Sequence, residues 1–587
     1  MYQTPLFNGK GYMAAGGKVG YLDKTIGATG LIPDGIRLPQ YNSSNVKFVY
    51  NFTPQHAISF TSLTANDNFV LNASTKKAND PTKDPLEAIA GASVSAGQGF
   101  RTMGLRYIWT PGSKFNNRLT LINYDPFNKT SVKFGSIEAD FIARAPYTGV
   151  RQDLNWDATD FLKIDFGTEV RAFSYNVSGY TVALKDPNNL SPNPYRTDNP
   201  DFERREITQK TQLGYGNAYS SLHFKFGNLK IEPGARYDYI DSSKQGVFGP
   251  RGLVSYRFDN IGKGMTLFSG AGDYFRFPFF SQQPSLESGN PDIKFEKARK
   301  YGAGIDQQIT EEYSIKGEVF KQEFTNLIVS DPYITEPYGP NPDKTQLFNK
   351  PIVTNRALNY SNKGDGWSHG YELYLKKSNR PGSRDWFGWI SYTWSQSYRN
   401  NNVFVPLGDD STKLITATEA RVRSQYNNSK ELIYEFDTTH LLSVVYGWRI
   451  NEEYQIGGRW FYRSAFPYTP VIGDDGGQFT NTANGITIFN PKYSDNPYSG
   501  NYQNSRRANP YHRLDFRFDK FLNYEWGYMN LYLEVLNLYM RENILTENFD
   551  STKPFSGTNP SPQGDFYLLR NGGTKAPFFN IGLEVRF

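Results

Sequence analysis

Cysteine is missing from all 587 residues, so the fold has no disulfide frame, no thiolate nucleophile and no cysteine-ligated metal. Long hydrophobic runs are missing too. No stretch of about eighteen apolar residues occurs, which excludes helical membrane spans, and the mean hydropathy is negative. Met1-Tyr2-Gln3-Thr4-Pro5 is not followed by an apolar run or a small-residue cleavage site, so no signal peptide is visible. The five histidines, His56, His223, His369, His440 and His512, are scattered without ligand spacing, and no metal site is expected. Gly214-Tyr215-Gly216 has no βαβ context. With no nucleophile motif, phosphate loop or paired carboxylates, neither an enzyme nor a bound cofactor is expected. A dominant charge sign is lacking as well. The net +6 is a small excess among interspersed charges, which speaks against a nucleic-acid partner.

What is present is alternation. At the end of the chain, Phe579, Ile581, Leu583, Val585 and Phe587 alternate with Asn580, Gly582, Glu584 and Arg586. A period of two puts the first set on one face of a strand and the polar set on the other. About ten residues is the length a tilted strand needs to cross a hydrocarbon core. Such a strand suits either the closing strand of an outer-membrane barrel or the edge of a soluble β-sandwich. The 41 Tyr, 43 Phe and 9 Trp favour large sheets and suit the aromatic girdles of a barrel.

Strand-like segments arrive in pairs joined alternately by short and long connections. Residues 45–52 and 57–63 flank Thr53-Pro54-Gln55-His56, and residues 100–110 and 118–124 flank Pro111-Gly112-Ser113. The same rhythm joins 147–159 to 162–173, 207–226 to 230–240, 247–258 to 265–275, and 299–309 to 313–324. It continues with 367–377 to 386–399, 438–450 to 454–464, and 511–519 to 527–538. Residues 11–23 form the first segment. Long connections centre near residues 30, 80, 130, 190, 285, 345, 420, 485 and 560, with a shorter one near 244. Sorting of loop lengths belongs to membrane barrels, with short turns periplasmic and long loops extracellular. The expectation is an all-β chain, a large antiparallel up-and-down transmembrane β-barrel of about twenty strands. Leu514, Phe516 and Phe518 should then face lipid, and Arg513, Asp515, Arg517 and Asp519 the lumen.

A family resemblance runs through nearly the whole chain. It is carried by Pro233-Gly234-Ala235-Arg236-Tyr237-Asp238, by Pro250-Arg251-Gly252-Leu253 with Gly272-Asp273-Tyr274-Phe275-Arg276-Phe277-Pro278, and by Gly289-Asn290-Pro291-Asp292-Ile293-Lys294-Phe295-Glu296-Lys297. Gly370-Tyr371-Glu372-Leu373, Trp389 to Ser395, Phe436-Asp437-Thr438-Thr439-His440 and Phe466-Pro467-Tyr468-Thr469-Pro470 follow in order. Pro510 to Asp515 and Leu533-Glu534-Val535-Leu536-Asn537-Leu538 complete the series. In this order they resemble the barrel domain of TonB-dependent outer-membrane receptors. Phe295 stands where that family usually has Pro.

The resemblance implies a plug ahead of a barrel of about 22 strands, and an energy-coupling box. Neither is found in the sequence, so residues 1–587 are expected to be one barrel domain, with plug, coupling box and signal peptide absent. Phe7-Asn8-Gly9-Lys10-Gly11 resembles the turn into the family's third strand. The first hairpin is accordingly expected to be missing or supplied by another chain, leaving residues 11–23 as an unpaired edge. The implied function is uptake of a scarce nutrient captured on extracellular loops, with TonB acting only through a plug. The alternatives are a passive outer-membrane pore, a split receptor without active transport, and a soluble carbohydrate-binding β-protein. Tyr333, Tyr338, Trp367, Tyr398 and Tyr493 are candidate ligand-stacking aromatics, with girdle anchoring as the competing role. The resemblance makes the strand bearing Phe579, Ile581, Leu583, Val585 and Phe587 the signal for the barrel-assembly machinery. It also puts the carboxy terminus in the periplasm of an outer membrane. No substrate is readable.

Overall fold

The computed structural model of the protein describes residues 2–21, 36–72, 93–134, 137–184, 202–278, 290, 292–331, 359–379, 383–400, 431–480, 487–493, 504–525, 527–549, 568–572 and 577–586. These form a 23-stranded antiparallel sheet with three separate two-stranded ribbons. Ile137–Arg144 and Leu432–Ile433 are side strands of that sheet, laid against strand ends. The other strands are the barrel wall, each paired with its neighbours along the chain from Tyr2–Leu6 to Phe578–Arg586.

Continuous register makes the wall two-sided. Side chains alternate across a strand, so the facing of one residue fixes the facing of its cross-strand partners. One row runs Leu105, Leu121, Val150, Val170, Gly216, Tyr239. The next row, one residue along each strand, runs Arg106, Thr120, Arg151, Glu169, Asn217, Asp238. The first is apolar and its side chains are exposed, Val170 by 63%. The second is polar, and Thr120, Glu169, Asn217 and Asp238 are buried. Curvature accounts for both: side chains splay apart on the convex face and crowd on the concave one. The polar row lines the lumen and the apolar row the outer belt.

The carboxy-terminal strand obeys the same rule. Phe579, Ile581 and Leu583 lie in register with Val535, Leu533 and Leu531, and Val585 with Met529. Asn580 faces Glu534 on the opposite side and donates from Nδ2 to its Oε2 at 3.1 Å. Phe587 lies outside the described residues.

Two expectations need correction. Residues 11–23 are not an unpaired edge, because Tyr2–Leu6 folds back onto Gly11–Tyr21 from Leu6↔Gly11 to Tyr2↔Ala15. Phe7, Asn8 and Gly9 all have positive φ in the connecting turn, which Asn and Gly adopt at low cost. Pro5 is tolerated in that strand because a strand at a sheet edge need not donate on both sides. Strands also run further than the alternation suggested. Phe115–Phe134 continues through the connection expected near 130, and Leu162–Leu184 with Phe202–Phe226 reach 23 and 25 residues. Beyond the bilayer both faces are solvated, so the hairpins keep their ladders while the apolar period fades. The connection near 244 is a four-residue turn, between strands ending at Ile240 and starting at Gln245.

Candidate functional site

The lumen wall between Phe115–Phe134 and Leu229–Ile240 carries a linked polar network. Arg118 donates to Asn155 Oδ1 at 2.8 Å, and Asn155 donates to Asp165 Oδ1 at 2.7 Å. His223 Nε2 lies 3.0 Å from Asp165, and its Nδ1 lies 3.4 Å from Glu232. Arg151 is bidentate to Asp153, which also accepts from the Tyr219 hydroxyl at 2.7 Å. Arg171 donates to Glu169 at 2.6 Å while its guanidinium lies over the rings of Tyr147 and Tyr215. Tyr215 donates to Asp238, and Arg236 donates both to Asp238 and to the Tyr215 oxygen.

The carboxy-terminal strands repeat the chemistry. Arg513 pairs with Asp515 and Arg517 with Asp519, each at 2.8 Å, as the alternation predicts for one lumen-facing set. Asn530 donates to Asp519 at 3.0 Å. In each of the five arginine–carboxylate pairs, Arg151–Asp153, Arg171–Glu169, Arg236–Asp238, Arg513–Asp515 and Arg517–Asp519, the partners stand two apart on one strand, the spacing that brings side chains to the same face. R-x-D and E-x-R were therefore readable as a signal of wall-lining pairs. The rows joining them across strands required the register.

Most of this charge is internally neutralised, so these pairs offer the lumen polar contact more than net charge. Arg118 Nε, Asn217 Nδ2 and Asn530 Oδ1 are buried without a hydrogen-bond partner among the described residues. Among the described residues no group of three His, Asp or Glu side chains could hold a metal ion. A recess of about 500 Å³ opens in the wall beside His223, Glu232, Arg251, Tyr274, Lys300 and Glu318. Its floor is kept low by Gly270 and Gly302, which face each other in register.

Toward the rim of long connections a small apolar core braces the wall. Leu213, Ile240 and Phe295 are buried together, packed against Phe173, Val247, Phe275 and Phe277. Phe295 occupies the place where proline was expected. The preceding turn closes instead through Asn290, whose Oδ1 accepts from Asp292 N at 2.9 Å and whose carbonyl accepts from Ile293 N at 3.2 Å.

The predicted ligand-stacking aromatics separate. Tyr333 and Tyr338 lie outside the described residues, and of Tyr493 only the backbone is described, paired with Val471. Trp367 and Tyr398 are register partners whose rings stack at 4.5 Å. They share the outer face with Tyr371 and Val319, not the lumen face of Glu318 and Glu372. Trp367 also stacks on His369 at 4.8 Å and donates to Glu431 at 2.9 Å.

Solved structures share this architecture. The outer membrane transporter YddB from Escherichia coli superposes with a TM-score of 0.63 at 11% identity, over 100% of this chain and 74% of that one. The siderophore receptor PiuA from Acinetobacter baumannii gives 0.59 at 12% identity, over 92% of this chain and 75% of that one. The ferric yersiniabactin uptake receptor FyuA from Yersinia pestis gives 0.58 at 12% identity, over 95% and 73%. No protein of curated function matches in sequence. The model of the family described as TonB dependent receptor-like, beta-barrel matches residues 33–538, spanning every wall strand from Ile36–Thr53 to Gly527–Leu536, and the chain belongs to that family.

Proposed function

We propose that this chain is the barrel of an energy-coupled outer-membrane receptor that takes up a scarce nutrient. The observation carrying the reading is the pair of adjacent rows across six strands, one apolar and outward, one charged and inward. The rim of short turns lies in the periplasm and the long connections face the outside, where the ligand is captured. Tyr333, Tyr338 and Tyr493 are the aromatics to test for that capture, while Trp367 and Tyr398 anchor the outer rim in the interface. Siderophore and ferric-chelate receptors among the fold neighbours make a metal chelate the first cargo to try.

Coupling to TonB runs through a plug lodged against the lumen wall, which meets it with the Arg–Asp and Arg–Glu pairs and with the unpartnered polar atoms of Arg118, Asn217 and Asn530. The strand bearing Phe579 to Phe587 serves as the signal read by the barrel-assembly machinery. The competing reading is a passive pore, favoured by the polar row that lines the lumen. Single-channel recording in planar bilayers separates them. A large, stable conductance indifferent to any added plug polypeptide would establish the pore, whereas closure by such a polypeptide supports the receptor.

A further inference from the structure

The outer belt is interrupted by a groove crossing five adjacent strands. Two register rows run through it: Ile231, Val254, Ser269, Ala303, Val319, and above it Pro233, Gly252, Ala271, Tyr301, Lys321. Both rows are small in the middle and bulky at the ends, leaving a concavity of about 660 Å³ between the Ile231–Val254 wall and the Tyr301–Val319 wall. Lys321, at the upper end, is the charged residue of this lining.

The groove has a definable depth. Tyr313 and Trp386, in edge contact at 6.4 Å, belong to the belt near the short-turn rim. Lys321 lies eight residues further up the strand from Tyr313. At ~3.3 Å per residue and a tilt of ~40° this is about 20 Å along the membrane normal, close to the far edge of an apolar band of ~25 Å. The groove therefore opens into hydrocarbon just below headgroup level.

At that level the outer face carries charge. Arg299 is bidentate to Asp273 at 2.7 and 2.9 Å, Lys297 reaches the same carboxylate at 2.8 Å, and Lys321 pairs with Glu323 at 2.7 Å. Three cations meet two carboxylates, a net positive charge, and the side chains of Lys321 and Arg299 are 57% and 48% exposed.

We propose that this groove is a lipid site, holding one acyl chain of a phosphorylated, acylated disaccharide of the lipid A type, with its phosphate beside Lys321 and Arg299. The excess cation suits the phosphate. Glu323, the more exposed of the two carboxylates, offers an acceptor for a sugar hydroxyl, which a glycerol phosphodiester would use less fully. The inference rests on the outer-membrane reading above.

Native mass spectrometry of the full chain in detergent, with diphosphoryl lipid A as probe, tests it. The wild type should retain one lipid A in preference to phosphatidylglycerol. Filling the groove with Ser269→Leu and Ala271→Leu together should weaken retention by about tenfold, since two methylene-sized contacts are lost. Lys321→Gln should weaken diphosphoryl lipid A while leaving a dephosphorylated probe unchanged. Heat-modifiable migration on gels reports separately that each variant forms a barrel. A folded groove-filled variant that still holds lipid A as tightly as wild type overturns the site, and so does equal retention of phosphatidylglycerol. If the wild type itself shows no heat-modifiable migration, the barrel reading fails and the lipid site with it.

Discussion

Glycine and aromatic rings are matched across strands. Gly20, Gly167, Gly304, Gly447 and Gly582 stand directly opposite Tyr41, Tyr219, Phe268, Phe387 and Tyr532 in register. A Cβ at any of these glycines would run into the partner's ring, which occupies the space a side chain would need. Gly582→Ala should therefore displace Tyr532 and destabilise the barrel by about 1–3 kcal/mol, seen as a lower urea midpoint in detergent. Adding Tyr532→Ser should recover part of that loss; an unchanged midpoint in the single variant would show that the ring has room to move. Asp519 is 3% exposed and serves both Arg517 and Asn530. Asp519→Ala leaves two donors uncompensated and should cost about 1–3 kcal/mol in the same assay, the lower part of the range reflecting the partly exposed Arg517. At the rim of short turns, the hydrogen bond from Lys377, aided by the Trp386 N–H, holds the Asp385 carboxyl below the usual range. A depressed carboxylate stabilises the fold above its unfolded pKa and loses that contribution as pH falls through the folded one. Amide exchange around Asp385 should accordingly quicken below about pH 4 in the wild type. In Asp385→Asn the step should vanish.

At the scale of the strand, facing decides the cost of a change. Leu121 belongs to the outer row and its neighbour Ile122 to the lumen side. Leu121→Arg should cost about 2–4 kcal/mol near the bilayer midplane, while Ile122→Arg should be tolerated far better. Equal losses in lipid-refolding titrations would contradict the assigned faces. This facing was legible in the sequence wherever alternation was clean, as in residues 513–519 and 579–585, because a period of two is a local property. Other features were not legible, since they depend on register between segments far apart in the chain. The partnership of Gly167 with Tyr219 is one, and the convergence of Arg118, Asn155, Asp165, His223 and Glu232 is another. Trp367 and Tyr398 show the same limit: their composition suited a ligand site, and only the register of Trp367 with Glu323, on the same face of its strand as Val319, and of Tyr398 with Trp367 put them on the outer face. The extension of Phe115–Phe134 past the expected loop was hidden because a strand with both faces solvated has no hydrophobic period to read.

For the whole molecule, the wall resolves into a neutralised interior and an apolar exterior, and its assembly should depend on the last strand. Deleting Phe587 should lower the amount of heat-modifiable barrel recovered from outer membranes by several-fold, while refolding of the purified chain in detergent stays near wild type. A similar loss in both settings would make the residue structural and not a signal. The ion pairs of the lumen carry a consequence for how such a wall is made. Arg151–Asp153, Glu169–Arg171, Arg236–Asp238, Arg513–Asp515 and Arg517–Asp519 are each completed within a single strand. None of these five pairs must wait for a neighbouring strand to cancel its charge. Each strand that carries one can thus join the growing wall with that charge already cancelled, before its next neighbour has docked.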